Sequence, residues 1–139
     1  MTERDLNKHS DAHPPAAVLV VDDDPILRST LAFEIRDAGY QVREASNTDE
    51  AEQILSAGAP IDVVVTDIEM PGPRDGLALA KSVRAFRPHI KVIVASGAIP
   101  LTGVVGVADA FFGKPYDFSR ILMRIRSLLH TPPRAADPA

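Results

Sequence analysis

The sequence contains no cysteine and no tryptophan, and aromatic residues make up only 5% of its 139 residues. A chain without cysteine has no disulfide bond, no thiolate metal site and no cysteine nucleophile. Neither sign of charge is in large excess, because the formal net charge is −4 at pH 7. A mildly acidic surface does not attract a polyanion, so we expect no direct nucleic-acid partner.

Long hydrophobic runs are also absent from the sequence. No apolar segment approaches the roughly 18 to 20 residues that a membrane span requires. Residues 1–15 are polar and charged and lack the apolar centre of a signal peptide. We therefore expect a soluble, cytoplasmic protein with no membrane partner.

Hydrophobic residues make up 45% of the chain, which is enough to give one domain a buried core. The two ends of the chain are polar or rich in proline and have little to bury. We expect residues 1–15 to form a disordered N-terminal lead, residues 16–130 the folded domain and residues 131–139 a C-terminal tail. The tail is too short for an effector domain, so the sequence favours a single-domain protein.

The chain is organised around residues 61–71. Val63, Val64 and Val65 form a short β-branched run, which is typical of a strand buried on both faces of a parallel sheet. The run delivers the carboxylate of Asp67 to the point where the strand ends and a turn begins. Ligands of open α/β sheets bind beyond the carboxyl ends of the strands, so a functional residue is expected here.

Strand and helix patterns alternate along the rest of the sequence. This alternation predicts βαβ units with right-handed crossovers, and hence an α/β fold with a five-stranded parallel sheet and helices on both faces. Pro100, Gly103 and Gly106 interrupt the fourth helix, which we expect to be short or irregular. The predicted strands cover residues 17–21, 40–45, the run ending at 67, 91–95 and 110–112. The other predicted helices begin at residue 25, begin after residue 47, and cover residues 77–86 and 119–129.

Polar side chains stand just past the carboxyl end of four predicted strands. Asp22 and Asp23 follow the first strand, Asp67 the third, Ser96 the fourth and Lys114 the fifth. Because these ends lie at one edge of a parallel sheet, we expect the five side chains to converge. Three neighbouring carboxylates repel one another unless a cation lies among them, and Mg²⁺ suits carboxylates combined with water and phosphate oxygens. Carboxylates, Mg²⁺, a lysine and a hydroxyl together indicate phosphoryl transfer, with Asp67 as the nucleophile that forms an aspartyl phosphate.

At these positions the sequence resembles the receiver domain of two-component response regulators, over about residues 16–130. The matching text is Val-Val-Asp22-Asp23-Asp24-Pro25, Val-Val-Thr-Asp67-Ile-Glu69-Met-Pro, Val-Ala-Ser96-Gly and Phe111-Phe-Gly-Lys114-Pro115. Each motif alone is weak, but their order and their places at strand ends make the resemblance specific. It implies a doubly wound, flavodoxin-like or CheY-like sheet with the strand order 2-1-3-4-5.

The resemblance also implies a role for each site residue. Asp67 would accept a phosphoryl group from a phosphohistidine of a sensor histidine kinase or a histidine phosphotransfer protein, as in a phosphorelay. Asp23, Asp67 and the backbone carbonyl of Glu69 would hold Mg²⁺, and Asp22 would assist, largely through water. Lys114 would pair with the phosphate. The protein would thus be a phosphoacceptor that catalyses its own phosphorylation and dephosphorylation, and not a turnover enzyme.

The remaining implied roles concern the switch. Ser96 would move to hydrogen-bond a phosphate oxygen, and Phe111 would turn inward as Ser96 moves. The Lys114-Pro115 peptide bond would be cis. The output would pass by protein contact to a partner that the sequence does not identify.

The sequence also departs from the family pattern. The loop of residues 70–76 is one residue longer than usual, and the interval between Ser96 and Lys114 is shorter. Phe111 lacks the hydroxyl of the commoner tyrosine. Glu69 places a further carboxylate beside Asp67, which we expect to repel attacking water and slow hydrolysis of the phosphate.

Two other functions fit part of the sequence. A pseudo-receiver would bind partners without phosphorylation, but the complete set of aspartates, serine and lysine argues against it. A Mg²⁺ phosphatase with an aspartyl nucleophile would resemble Asp-x-Asp-x-Thr after the first strand, whereas here the nucleophile follows the third strand.

Overall fold

The computed structural model describes residues 15–70, 72, 74–97, 104 and 106–130. Strands and helices alternate along this part of the chain. The strands are β1 (Ala17–Val21), β2 (Gln41–Ala45), β3 (Val63–Asp67), β4 (Lys91–Ser96) and β5 (Ala110–Gly113). The helices among the described residues are α1 (Pro25–Asp37), α2 (Thr48–Ser56), α3 (Gly76–Phe86) and α4 (Phe118–Leu129).

The five strands form one parallel sheet in the order β2-β1-β3-β4-β5. This is the doubly wound order that the sequence predicted, and each predicted strand lies within one residue of an observed one, apart from the start of the β3 run. All five residues of β1 and of β3 and all six of β4 are buried. Neighbouring strands and helices on both faces therefore enclose the strand that ends in Asp67, as expected.

The sheet divides the core into two apolar layers. Side chains of β1 alternate between them: Leu19 and Val21 pack with α2 and α3, whereas Val18 and Val20 pack with α1 and α4. This period of two is the geometry of a strand buried on both faces. The two neighbouring phenylalanines of β5 follow the same rule, since half-buried Phe111 joins the α2–α3 layer and half-buried Phe112 joins the α1–α4 layer.

Capping residues set the helix starts that the sequence predicted. The side chain of Asp24 accepts hydrogen bonds from the amides of Ile26 and Leu27, and Pro25 opens α1. Asn47 accepts a hydrogen bond from the Glu50 amide at 2.8 Å at the start of α2. In the described part of the chain no helix is both long enough and apolar enough to cross a membrane.

The connection between β4 and β5 is where the predicted short or irregular fourth helix falls. Most of it, residues 98–103 and 105, lies outside the described residues, as do residues 1–14 and 131–139, on which the predicted lead and tail fall. Within the described part of this connection, the amides of Val107 and Ala108 donate to the carbonyl of Val104.

An ion pair fixes the chain just before β5. Arg84 of α3 contacts Asp109 at 2.7 Å, and it also donates to the carbonyl oxygen of Val107. Asp109 in turn accepts a hydrogen bond from the Val92 amide at 2.8 Å. These contacts tie the entry to β5 to both α3 and β4.

Candidate functional site

The predicted side chains meet at the carboxyl edge of the sheet. Asp22 follows β1, Asp67 and Ser96 are the last residues of β3 and β4, and Lys114 follows β5. The peptide bond from Lys114 to Pro115 is cis, as the family resemblance implied.

Lys114 links the two buried aspartates. Its Nζ lies 3.0 Å from Asp22 Oδ2 and 3.1 Å from Asp67 Oδ2. Both aspartate side chains are largely buried, at 6% and 7% exposure, while the lysine side chain is 21% exposed. Their second oxygens accept backbone hydrogen bonds, Asp22 Oδ1 from the Asp24 amide at 2.9 Å and Asp67 Oδ1 from the Glu69 amide at 3.2 Å. Both carboxylates are therefore held in fixed orientations.

Burial and neighbouring charges together shift the pKa values of Asp67 and Lys114. Burial raises the pKa of Asp67, and the nearby charge of Asp22 raises it further, against the lowering effect of the hydrogen bond from Lys114. Burial alone would lower the pKa of Lys114, but its hydrogen bonds to Asp22 and Asp67 outweigh burial and raise the pKa. The site thus favours a charged lysine beside a carboxylate that is costly to ionise.

A third carboxylate, on exposed Asp23, completes an acidic cluster. One carboxylate oxygen from each of Asp22, Asp23 and Asp67 lies within 4.8 Å of the others. Such an all-oxygen donor set suits a hard divalent cation such as Mg²⁺. The carboxylates of Asp22 and Asp67 are buried and that of Asp23 is exposed, so the cluster fits an ion that keeps part of its water shell.

The remaining predicted site residues are Ser96, Glu69 and Phe111. The hydroxyl of buried Ser96 donates to Glu69 Oε1 at 2.8 Å. Phe111 lies opposite Val94 in the sheet register, on the side of α2 and α3. Asp24 caps α1 and does not belong to the carboxylate cluster.

Tyr116 is a site residue that the sequence analysis missed. It is half-buried, and its ring packs edge-to-face on Phe118 with 5.8 Å between the centroids. Burial, followed by the negative charge of Asp22, raises its pKa to about 12. The only signal in the sequence was its position two residues after Lys114.

Gly76 is the second missed residue. It begins α3, and its amide donates to the Ile68 carbonyl at 2.9 Å. A Cβ at this position would overlap the carbonyl oxygen of Asp67 and would lie 2.9 Å from Ile68 Cα. The helix therefore packs directly against the backbone that carries the central aspartate.

Fold and site together define a doubly wound α/β protein with an acidic, lysine-bridged pocket at the carboxyl edge of its sheet. The chain belongs to the response regulator receiver domain family, whose profile matches residues 18–126. It is similar to the transcriptional regulatory proteins AruR of Pseudomonas aeruginosa (34% identity) and FixJ of Azorhizobium caulinodans (38% identity). Each match covers 81% of this chain, but only 48% of AruR and 54% of FixJ, so the chain spans about half the length of these relatives.

A solved structure supports the same assignment. The response regulator protein TrrA of Thermotoga maritima, in complex with Mg²⁺ and BeF, superposes with a TM-score of 0.74 at 30% identity. The match covers 81% of this chain and 98% of that one. The family prediction and the predicted fold are thereby confirmed.

Proposed function

We propose that this receiver domain accepts a phosphoryl group on Asp67 from a phosphohistidine of a sensor histidine kinase or a histidine phosphotransfer protein. The observation that carries the proposal is the bridge from Lys114 to Asp22 and Asp67, with Asp23 in the same cluster. The domain acts as a phosphoacceptor in a two-component system or phosphorelay, not as a turnover enzyme. It passes its signal on by protein–protein contact.

Each residue of the cluster has a distinct part in the transfer. An oxygen of Asp67 attacks phosphorus, an O–P bond forms, and the N–P bond breaks with its electron pair going to the donor imidazole. Asp22, Asp23, Asp67 and the backbone carbonyl of Glu69 would hold Mg²⁺, which when bound neutralises charge on the transferred group. Lys114 exchanges its contact with Asp67 for one with a phosphoryl oxygen.

Ser96 and Phe111 change position after the transfer. The Ser96 hydroxyl turns to a phosphoryl oxygen, and the space it leaves lets Phe111 move inward. The phosphoryl group thus stabilises one of two arrangements of this face of the domain.

Phosphorylation of Asp67 can be tested by intact mass after incubation with phosphoramidate. We expect the wild-type protein to gain one phosphoryl group in Mg²⁺ and none in EDTA. Asp67→Asn should gain none, because the amide is not a nucleophile, and Asp23→Asn should gain the group more slowly at limiting Mg²⁺. Asp37→Asn, a carboxylate at the far end of α1, is the matched control and should behave as the wild type. A wild-type protein that stays unmodified would instead favour a phosphorylation-independent binding module.

The donor protein must reach a nearly buried carboxylate, so its surface has to rest on the rim of the pocket. Ile26, at the start of α1, is 77% exposed on this rim, and Phe33 follows two helical turns later at 62%. A cavity of about 460 Å³ lies beside the start of α1. It is lined by Leu27, Lys114, Pro115, Tyr116 and Phe118. We propose that the phosphodonor docks on α1 here, because exposed apolar side chains beside a pocket suit protein contact.

Ile26→Glu tests this docking. A buried charge at an interface centre should slow phosphotransfer from a phosphorylated histidine phosphotransfer protein by about tenfold, the loss typical of an important contact. The rate from phosphoramidate should not change. Phe86→Glu is the matched control: Phe86 is also 77% exposed, but it ends α3 at the opposite edge of the sheet. Equal rates for the two variants with the protein donor would contradict docking on α1.

A further inference from the structure

The side chain of Glu69 accepts a hydrogen bond from Ser96, whose hydroxyl is the group proposed to bind the phosphoryl oxygen. Ser96 Oγ donates to Glu69 Oε1 at 2.8 Å, a hydrogen bond between the end of β4 and the loop that follows β3. Ser96 is only 2% exposed, whereas Glu69 is exposed. The bond therefore joins an interior switch residue to a carboxylate at the surface.

This hydrogen bond opposes the proposed switch. A serine hydroxyl carries one proton and donates it to one strong acceptor at a time. A carboxylate is a charged acceptor, and such bonds are about twice as strong as neutral ones. For a phosphoryl group on Asp67 to accept the hydrogen bond of Ser96, the hydroxyl must first leave the Glu69 carboxylate, which is also negatively charged.

We propose that Glu69 is a positioning residue that latches Ser96 in the unphosphorylated arrangement and competes with the phosphoryl group for its hydroxyl. The proposal rests on the proposed function, since it assumes a phosphoryl group on Asp67. Glu69 reaches both groups because its amide donates to Asp67 Oδ1 at 3.2 Å while its carboxylate accepts from Ser96. The backbone of residue 69 is thus fixed to the carboxylate that is modified.

The latch can be released without leaving a buried charge. Because Glu69 is exposed, its carboxylate regains water when Ser96 turns away. Switching then exchanges one charge-assisted hydrogen bond of Ser96 for another. Because the first bond must be given up, Glu69 lowers the fraction of phosphorylated molecules that adopt the switched arrangement. This role concerns Ser96 before it moves, and it is separate from the expected effect of Glu69 on hydrolysis afterwards.

A simpler effect must be separated from the latch. The Glu69 carboxylate also repels any anion bound at Asp67, and this repulsion does not depend on Ser96. A double-mutant cycle distinguishes the two, because only a latch couples residues 69 and 96. The probe is beryllofluoride, a phosphoryl mimic, titrated in excess Mg²⁺ into wild type, Glu69→Ala, Ser96→Ala and the double variant by calorimetry.

With a latch, we expect Glu69→Ala to tighten beryllofluoride binding about tenfold when Ser96 is present and less than twofold when residue 96 is alanine. Ser96→Thr, which keeps the hydroxyl, should restore the larger effect, and circular dichroism checks that every variant is folded. Equal tightening in both backgrounds would overturn the latch and leave only repulsion. If the wild type binds no beryllofluoride in Mg²⁺, the proposed phosphoacceptor function itself fails, and the latch fails with it.

Discussion

Replacement of Gly76 by alanine is expected to destabilise the protein by about 3 kcal/mol or more, at the upper end of the usual cost of overpacking. The new Cβ would overlap the carbonyl oxygen of Asp67 and lie 2.7 Å from the carbonyl carbon of that residue. These are backbone atoms of a buried strand end, and they cannot turn aside as a flexible side chain would. Either α3 or the end of β3 has to shift, and the second choice displaces Asp67.

Urea unfolding measures this cost, and a second glycine provides the control. A Cβ on Gly113, one residue before Lys114, would meet no atom within 4 Å. We expect Gly113→Ala to change the unfolding free energy by less than about 0.5 kcal/mol, as is usual for open surface positions. If the unfolding free energy of Gly76→Ala is no lower than that of Gly113→Ala, α3 does not approach the Asp67 carbonyl this closely.

Loss of the Lys114 charge should have the second-largest effect. In Lys114→Met the buried carboxylates of Asp22 and Asp67 face each other without a cation. Removal of one partner from a buried ion pair costs about 3 to 5 kcal/mol, and the partial exposure of Lys114 places this case at or below the lower figure. Mg²⁺ bound as proposed would bring positive charge to the same carboxylates, so we expect a large destabilisation in EDTA and a smaller one in Mg²⁺. A loss that Mg²⁺ does not reduce would contradict a shared cation site.

The pH dependence of this loss follows from the two pKa shifts. The pKa of Asp67 is raised in the folded protein, so its contribution to stability is present below the unfolded value and declines as pH rises through the folded one. Removal of Lys114 steepens this decline, because it removes the group that favours the ionised carboxylate. The pKa of Lys114 is also raised, so its stabilising effect is lost only above the ordinary range of lysine. The difference between wild type and Lys114→Met should therefore shrink toward acid pH and again at strongly alkaline pH.

The fold was predictable because local and long-range signals agree. Apolar runs such as β1 and residues Val63 to Val65 of β3 fit the interior of a parallel sheet, and Asp24 with Pro25 marks a helix start by local chemistry alone. The convergence of Asp22, Asp67 and Lys114 then follows from topology, since parallel strands end at one edge.

The unpredicted features depend on distances between segments that the sequence does not encode locally. Nothing in the residues around Gly76 indicates that α3 approaches the carbonyl of Asp67, because a glycine after Asp75 also fits an ordinary helix start. The contact of Ser96 with Glu69 spans 27 positions and depends on side-chain rotation. The sequence predicted a backbone role for Glu69 toward Mg²⁺ and a side-chain effect on attacking water, but not the contact of its carboxylate with Ser96.

The two-layer core separates the proposed docking surface for the donor from the proposed switch at Phe111. Ile26 and Phe33 are exposed on a helix that packs on the α1–α4 layer, whereas Phe111 and α3 belong to the other layer, across the sheet. Surface substitutions on α1 can thus change which donor is accepted without repacking the side chains behind Phe111. If the donor docks on α1 as proposed, a lineage of such domains can acquire new donors by point mutation while the proposed switch at Phe111 is inherited unchanged.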